Sequence, residues 1–153
     1  ETHIMARRYC AEGSQNVVSP TLSTIAITST SAIRPAIYDV LMGSSATPAD
    51  NALVWQIQRY TAAGAGTTVT PTALDPGDPA STATSLENHT TDPTYTANAI
   101  LLAISLNQRA SHRWISDPGG MLKCPATAAN GAGCATIHAS FTGLVECAFH
   151  FEE

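Results

Sequence analysis

Four cysteines are the residues with the most specific potential chemistry, and their spacing does not match zinc binding. Cys10, Cys124, Cys134 and Cys147 form no CxxC pair, and such pairs are typical of structural zinc sites. Cys124 and Cys134 bracket a turn-rich loop whose ends could meet in a disulfide worth about 2.5 to 3 kcal/mol in the chain-entropy model. Two reduced thiols are the open alternative. Cys147 stands on the inward side of an alternating segment, so we expect it to be buried and unpaired.

The histidines and aspartates do not follow a metal-binding pattern. None of the five histidines has the i, i+4 spacing of a zinc-binding helix. His138 and His150 could bind a metal across two strands, but ordinary surface histidines explain them better. Asp75, Asp78 and Asp92 lack the spacing of a calcium loop and are typical of turns. We therefore predict no metal and no cofactor.

Arrangements for nucleophilic or phosphate chemistry are missing from the sequence. The GxSxG elbow, the GxxxxGK loop and a strand-associated GxGxxG fingerprint are absent. Trp55 and Trp114 could stack on a sugar, but Trp55 falls on the apolar side of its segment, which is typical of a core residue. We predict no catalytic residue and no enzyme activity.

The segments that would position these residues are short and alternate with a period of two. Strands are predicted at residues 24–28, 36–42, 53–57, 67–72, 100–106, 121–123, 136–141 and 144–151. The last two flank Thr142 and Gly143, a tight hairpin signal. Residues 100–106 are apolar on both faces, which favours the most central strand, with a helix as the alternative. The sequence predicts an all-β, antiparallel β-sandwich or jelly-roll domain over residues 21–153, after an irregular N-terminal arm at residues 1–20.

Sparse charge limits the classes of partner. Charged residues make up 12% of the 153 residues, about half the roughly 25% of an average soluble protein. The net charge is -5, and no basic cluster extends beyond Arg7 and Arg8, so we expect no nucleic-acid partner. No apolar run approaches the roughly 20 residues of a membrane helix, and no signal peptide opens the sequence, so we expect no membrane partner.

Several phrases resemble small structural proteins of tailed bacteriophages. They are residues 34–39 (RPAIYD), 47–50 (TPAD), 55–59 (WQIQR), 70–76 (TPTALDP), 78–80 (DPA), 105–110 (SLNQRA) and 113–114 (RW). The resemblance covers about residues 20–153 and implies a virion protein similar in role to capsid decoration or cement proteins. Such proteins sit on the outer lattice of the major capsid protein, often as homotrimers. The resemblance thus implies synthesis in the host cytoplasm and a final place on the capsid surface.

The predicted contacts to the capsid or to a neighbouring subunit come from the N-terminal arm. Arg and Tyr are enriched in interface anchors, which favours Arg7, Arg8 and Tyr9, with a disordered leader as the alternative. Two other functions stay open. Exposed aromatic side chains would favour a phage tail or receptor-binding module that contacts host glycans. Two carboxylates about 5 to 9 Å apart in a cleft would favour a carbohydrate-active enzyme.

Overall fold

The chain forms two antiparallel β-sheets packed face to face, in a computed structural model that describes residues 6–17, 22–137 and 143–153. Sheet A has the order β10 (Leu122–Lys123), β3 (Ala36–Ala46), β12 (Gly143–Glu152), β1 (Arg8–Val17) and β6 (Thr72–Ala73), and β9 (His112–Ile115) also pairs with β3. Sheet B has the order β5 (Ala65–Val69), β7 (Thr84–Thr91), β2 (Ser23–Thr28), β11 (Gly131–Ile137), β4 (Ala52–Tyr60) and β8 (Tyr95–Asn107). These residues contain no helix. The described part of the chain therefore has no helix that could cross a membrane. The prediction of an all-β sandwich is confirmed.

The core lies between the sheets and follows the alternation of the sequence. Large buried side chains come from sheet A (Tyr9, Phe149 and Phe151) and from sheet B (Ile25, Ile27, Leu53, Trp55 and Ile57). Along β12 each inward residue is buried and each outward residue is at least partly exposed. Complete burial of such a side chain stabilises the fold by about 1.5 to 3 kcal/mol.

The prediction of an irregular arm at residues 1–20 is wrong for residues 8–17, because these form β1, which lies between β12 and β6 in sheet A; residues 1–5 and 18–20 lie outside the described residues. Every residue of β1 pairs with a residue of β12. After Tyr9, the inward positions carry alanine, glycine and Gln15, so small and polar residues hide the alternation. Gln15 is satisfied in the core because its amide donates to the carbonyl oxygens of Ser23 and His89, at 3.1 and 2.8 Å. The predicted domain boundary at residue 20 therefore fails.

The last two strands do not form the predicted hairpin. β11 pairs with β2 and β4 in sheet B, whereas β12 pairs with β1 and β3 in sheet A. Residues 138–142, which include most of the predicted strand 136–141 and Thr142 of the predicted turn, lie outside the described residues. Two alternating segments in succession fit either a hairpin or a pair of facing strands, because both arrangements bury one side of each segment.

β8 is a strand, as predicted, but it lies at the edge of sheet B and not at its centre. It pairs with β4 on one side, and no described strand pairs with its other side. A run that is apolar on both faces is typical of a central strand. An apolar strand at an open edge is therefore an unusual feature of this sandwich.

The predicted Cys124–Cys134 disulfide is not formed, since all four cysteines are free thiols. Cys134 lies within β11 and points into the core, where it neighbours Cys147. Cys124 follows β10 and is buried at a separate place, where its backbone amide donates to the carbonyl of Pro35 at 2.9 Å. The end of the presumed loop belongs to β11, and the strand directs Cys134 toward the opposite sheet. Cys147 is buried and unpaired, as predicted.

Candidate functional site

The outward side of sheet A carries most of the charged side chains found in the strands. We call it face A and define it by these side chains: Arg8, Cys10, Glu12, Tyr38, Asp39, Leu41, Arg113, Glu146, Ala148, His150 and Glu152. Neighbours of a core residue in a strand point to the other side of the sheet. The same alternation that builds the core therefore builds face A.

Asp39 is a buried carboxylate at the centre of face A. Its exposed fraction is 2%, and Arg113 binds both of its oxygens, with Nε 3.0 Å from Oδ1 and Nη2 2.6 Å from Oδ2. The Nδ1 atom of His150 lies 3.3 Å from Oδ2. The hydrogen bonds from Arg113 above all, and then that from His150, lower the pKa of Asp39, although burial acts in the opposite direction. The two-pronged ion pair also ties β9 to β3.

Cys10, His150 and Asp39 stand side by side on three neighbouring strands. Cys10 pairs with His150 between β1 and β12, and His150 pairs with Asp39 between β12 and β3. A thiol, an imidazole and a carboxylate in this order are the residue types of a nucleophilic triad. Burial, followed by the charges of Glu12 and Asp39, raises the pKa of the Cys10 thiol, whereas an activated cysteine needs a lowered pKa. The row is therefore a polar cluster without the electrostatics of a nucleophile.

The sequence contains no local signal for this row. Its three members are separated by more than twenty residues and belong to three different strands. Strand order and register bring them together, and neither can be read from a single strand.

A groove of about 640 Å³ opens on face A beside Asp39. Glu12 and Glu146 line it from β1 and β12, two residues out of register, which makes them diagonal neighbours. Two carboxylates in a groove are what a glycoside hydrolase requires, but both side chains are exposed. The acid of such an enzyme needs an apolar environment that raises its pKa. The groove is better suited to binding a partner than to acid–base chemistry.

A second groove, of about 560 Å³, lies at the end of face A near the start of β1. Arg8 forms one wall: its guanidinium lies 5.1 Å from the ring centroid of Tyr38, and its Nε lies 3.7 Å from a carboxylate oxygen of Glu152. Arg7 lines the same groove, and its backbone bonds with that of Glu153. The predicted contact residues Arg7 and Arg8 are thus exposed together on one surface.

Tyr9, the third predicted contact residue, is not available to a partner. It is fully buried, its ring stacks on Phe151 with centroids 5.6 Å apart, and its hydroxyl donates to the carbonyl of Pro79 at 3.0 Å. The prediction of Tyr9 as a surface contact is wrong because Tyr9 occupies an inward position of β1.

The residues weighed as possible metal ligands, and set aside in the sequence analysis, have structural contacts where the structure describes them. Among the described residues, no group of three or more His, Cys, Asp or Glu side chains could hold a metal ion. Asp75 accepts a hydrogen bond from the backbone of its own turn at 2.8 Å. Asp92 accepts one from the backbone of Ser23 at 2.9 Å. His138, half of the predicted histidine pair, lies outside the described residues.

The outward side of sheet B, which we call face B, differs from face A in charge. Two charged residues stand in the strands of sheet B, and both contact sheet A. Glu87 accepts a hydrogen bond from the backbone of Ser14 at 2.8 Å, and Arg59 donates to the carbonyl of Lys123 at 3.1 Å. The strands of sheet B therefore place no charge on face B.

Comparisons of the chain with protein-family models, curated proteins and solved structures find no match. Function must therefore be inferred from the two faces of the sandwich and from the phrases of the sequence.

Proposed function

We propose that the protein is a capsid decoration, or cement, protein of a tailed bacteriophage. It binds the outer lattice of the major capsid protein as a homotrimer and stabilises the shell without catalysing a reaction. The proposal rests on the resemblance of the sequence phrases to phage structural proteins. The separation of charge between the two faces is the structural observation that supports it best.

Face A has the properties of a surface that recognises a different protein. It combines exposed charges of both signs with two grooves, and the ion pair between the buried carboxylate of Asp39 and the exposed Arg113 ties β9 to β3. Complementary charges fix the orientation of a partner and disfavour wrong partners. Arg8 on face A and Arg7, which lines the groove at the end of face A, remain our proposed contacts to the shell.

Face B has the properties of a surface against which identical copies can pack. The chain has a net charge of -5, and identical copies packed side by side repel one another wherever their charges meet. The strands of sheet B keep charge away from face B. Copies on a lattice can therefore approach each other through sheet B with little electrostatic cost.

Stabilisation of the shell follows from differential binding. A ligand shifts an equilibrium only by the difference between its affinities for the two states. If the protein binds the mature lattice more tightly than a loosened one, each bound copy favours the mature shell, and many weak sites add up.

The test compares particles stripped of the protein with particles to which it has been added back. We expect the restored capsids to survive higher temperature and lower salt. Arg8→Glu should weaken binding, whereas Arg109→Glu, an equal charge change outside face A, should leave it unchanged. Equal survival of stripped and restored capsids would overturn the stabilising role, and normal binding by Arg8→Glu would overturn the assignment of face A. Truncation before residue 20 is unsuitable because it removes β1.

The tail or glycan-binding alternative is not favoured by the described tryptophans. A glycan-binding surface needs exposed rings for stacking. Trp55 is 2% exposed, and Trp114 is partly buried and packs against the core.

A further inference from the structure

The open edge of β8 differs from the other sheet edges in length. Sheet A ends on one side in β10 and β9, of two and four residues, and on the other side in the two-residue strand β6, which pairs with Tyr9 and Cys10 of β1. The other end of sheet B is the five-residue strand β5. β8 has 13 residues. An edge strand presents unpaired backbone N–H and C=O groups along its length, so short edges offer little to another chain. β8 is the long edge in the described part of the molecule.

Charged residues and proline, which usually protect such an edge, are missing from β8. Between Asp92 and Arg109 the chain contains no charged residue, and within β8 it contains no proline. Lysine, proline, bulges and inward charges are the common means of blocking edge pairing. The pairing with β4 is irregular near Gln58, but it is regular from Leu102 to Asn107. This half of β8 is a straight and uncharged template for another strand.

The side chains of this half are also incompletely covered. Leu102, Ile104 and Leu106 point inward and pack against the core, yet each remains partly exposed, because no further strand lies beside them. A strand added at this edge would bury these aliphatic groups and satisfy the backbone at the same time.

We propose that β8 binds β8 of a second copy of this chain, antiparallel and around a two-fold axis, to give a continuous twelve-stranded sheet. Two identical strands related by a two-fold axis are antiparallel and self-complementary. An axis at Ile104 places Leu102 opposite Leu106 and Ile104 opposite its own copy, so aliphatic side chains meet aliphatic side chains within the regular half of β8. The net negative charge of the chain is not an obstacle there, because the paired segments are neutral.

This contact is independent of the proposed capsid role, since it requires only the edge of sheet B. It is also compatible with trimers: three-fold contacts elsewhere and two-fold contacts at β8 together extend a surface lattice. One strand edge is small beside the about 1,600 Å² of a standard interface, so we expect association that grows with concentration and not a permanent dimer.

The test is sedimentation velocity of the full chain from low micromolar to millimolar concentration. The wild type should associate in steps that double its mass. Ala103→Lys with Ser105→Lys should weaken this association at least about tenfold, because exposed like charges then meet across the axis. Both positions point to solvent, so the fold should survive, which far-ultraviolet circular dichroism checks.

Two further sets of variants show whether the association depends on the edge of β8. A variant with Ala103→Glu and Ser105→Glu should fail to associate alone but should form a mixed dimer with the double-lysine variant. Thr68→Lys with Thr70→Lys adds the same charge at the β5 edge and should associate like the wild type. Unchanged association of the double-lysine variant at β8 would overturn the proposal, as would a wild type that stays monomeric. Loss of association in the β5 variant as well would indicate head-to-tail pairing of β8 with β5 and would overturn the two-fold contact.

Discussion

Face A and face B cover the same core, but face A is charged and face B carries no charge from its strands. On face A, charged side chains from distant parts of the chain meet around Asp39 and leave grooves open. On face B, the rings of Tyr60 and Tyr95 lie directly on the backbone at Gly131 and Gly133. One sandwich can therefore use its two outer faces for two different kinds of contact. A charged face is suited to recognising a different protein, and a neutral sheet is suited to packing against identical copies.

The largest expected effect comes from filling the space under Tyr60 on face B. A Cβ atom at Gly131 would lie 2.0 Å from the carbonyl oxygen of Ile27 and 2.5 Å from the hydroxyl of Tyr60. Gly131→Ala should therefore lower the free energy of unfolding by about 3 kcal/mol. The matched control in sheet A is Gly43→Ala, where the nearest atom is Cβ of Ser111 at 3.3 Å, and we expect a change below about 1 kcal/mol. Urea unfolding followed by tryptophan fluorescence measures both, and equal effects would contradict the contrast.

The second prediction concerns the covalent link that the core permits between the sheets. Because Cys134 neighbours Cys147, oxidation during refolding should join these two and stabilise the protein by about 3 kcal/mol. Oxidation of the folded protein should be slow, since burial raises the pKa of the Cys147 thiol, with Cys134 adding to the effect. Burial likewise raises the pKa of Cys124 to about 11.

Peptide mapping of the oxidised protein identifies the bridge. Cys124→Ser should leave it intact, and Cys134→Ser should abolish it. A bridge between Cys124 and Cys134 would contradict the arrangement of the core.

The third prediction is a loss of stability in mild acid that originates in sheet B. His89 on β7 is 1% exposed, and burial lowers its pKa below the ordinary value of 6.5, although its hydrogen bonds to the backbone act in the opposite direction. As the pH falls below that value, the unfolded chain binds a proton that the folded chain resists, so the free energy of unfolding decreases. His89→Gln should remove this part of the pH dependence, and the control His112→Gln in sheet A should keep it. Denaturant unfolding between about pH 8 and about pH 5 tests this. If the free energy of unfolding of His89→Gln decreases with falling pH as steeply as that of the wild type, the prediction is refuted.

The smallest effect is expected on face A, in stronger acid. Asp39 has a pKa below its ordinary value of 3.8, so its contribution to stability is present above that value and is lost as the pH falls through the folded-state pKa. Arg113→Gln should raise the pKa of Asp39 and move this loss to higher pH, by a modest amount because the guanidinium is largely exposed to solvent. Arg109→Gln is the control. Carboxyl chemical shifts of Asp39 in both variants measure the change, and identical titrations would show that Arg113 does not control this carboxylate.

Part of the fold could be predicted from the sequence because some strands show an undisturbed alternation. The segments that became β4 and β12 place large apolar residues at every second position, and both lie as predicted with one side in the core. β1 was missed because it presents alanine, glycine and Gln15 at inward positions. A buried glutamine is acceptable there only because distant carbonyl groups receive its hydrogen bonds.

Strand order was the part that the sequence could not supply. The apolar residues of β8 predicted a central strand, yet the strand lies at an edge, since composition does not state which neighbours are present. Face A could not be predicted for the same reason. Only strand pairing places Cys10, Asp39 and His150 side by side, since they belong to three separate strands. Composition alone favours Arg7 and Arg8 as contact residues, and both are exposed, whereas Tyr9 was misplaced because its strand was not recognised.

Since we propose that the protein decorates a phage capsid, hydroxyl-radical footprinting with and without such capsids tests the division between the faces most directly. We predict that Tyr38, Leu41 and His150 on face A lose reactivity when the protein binds the capsid. We predict that Leu102 and Leu106 on β8, which are partly exposed, lose reactivity when the protein associates with itself at high concentration without capsids. Face A side chains that stay fully reactive in capsid-bound protein would contradict the account.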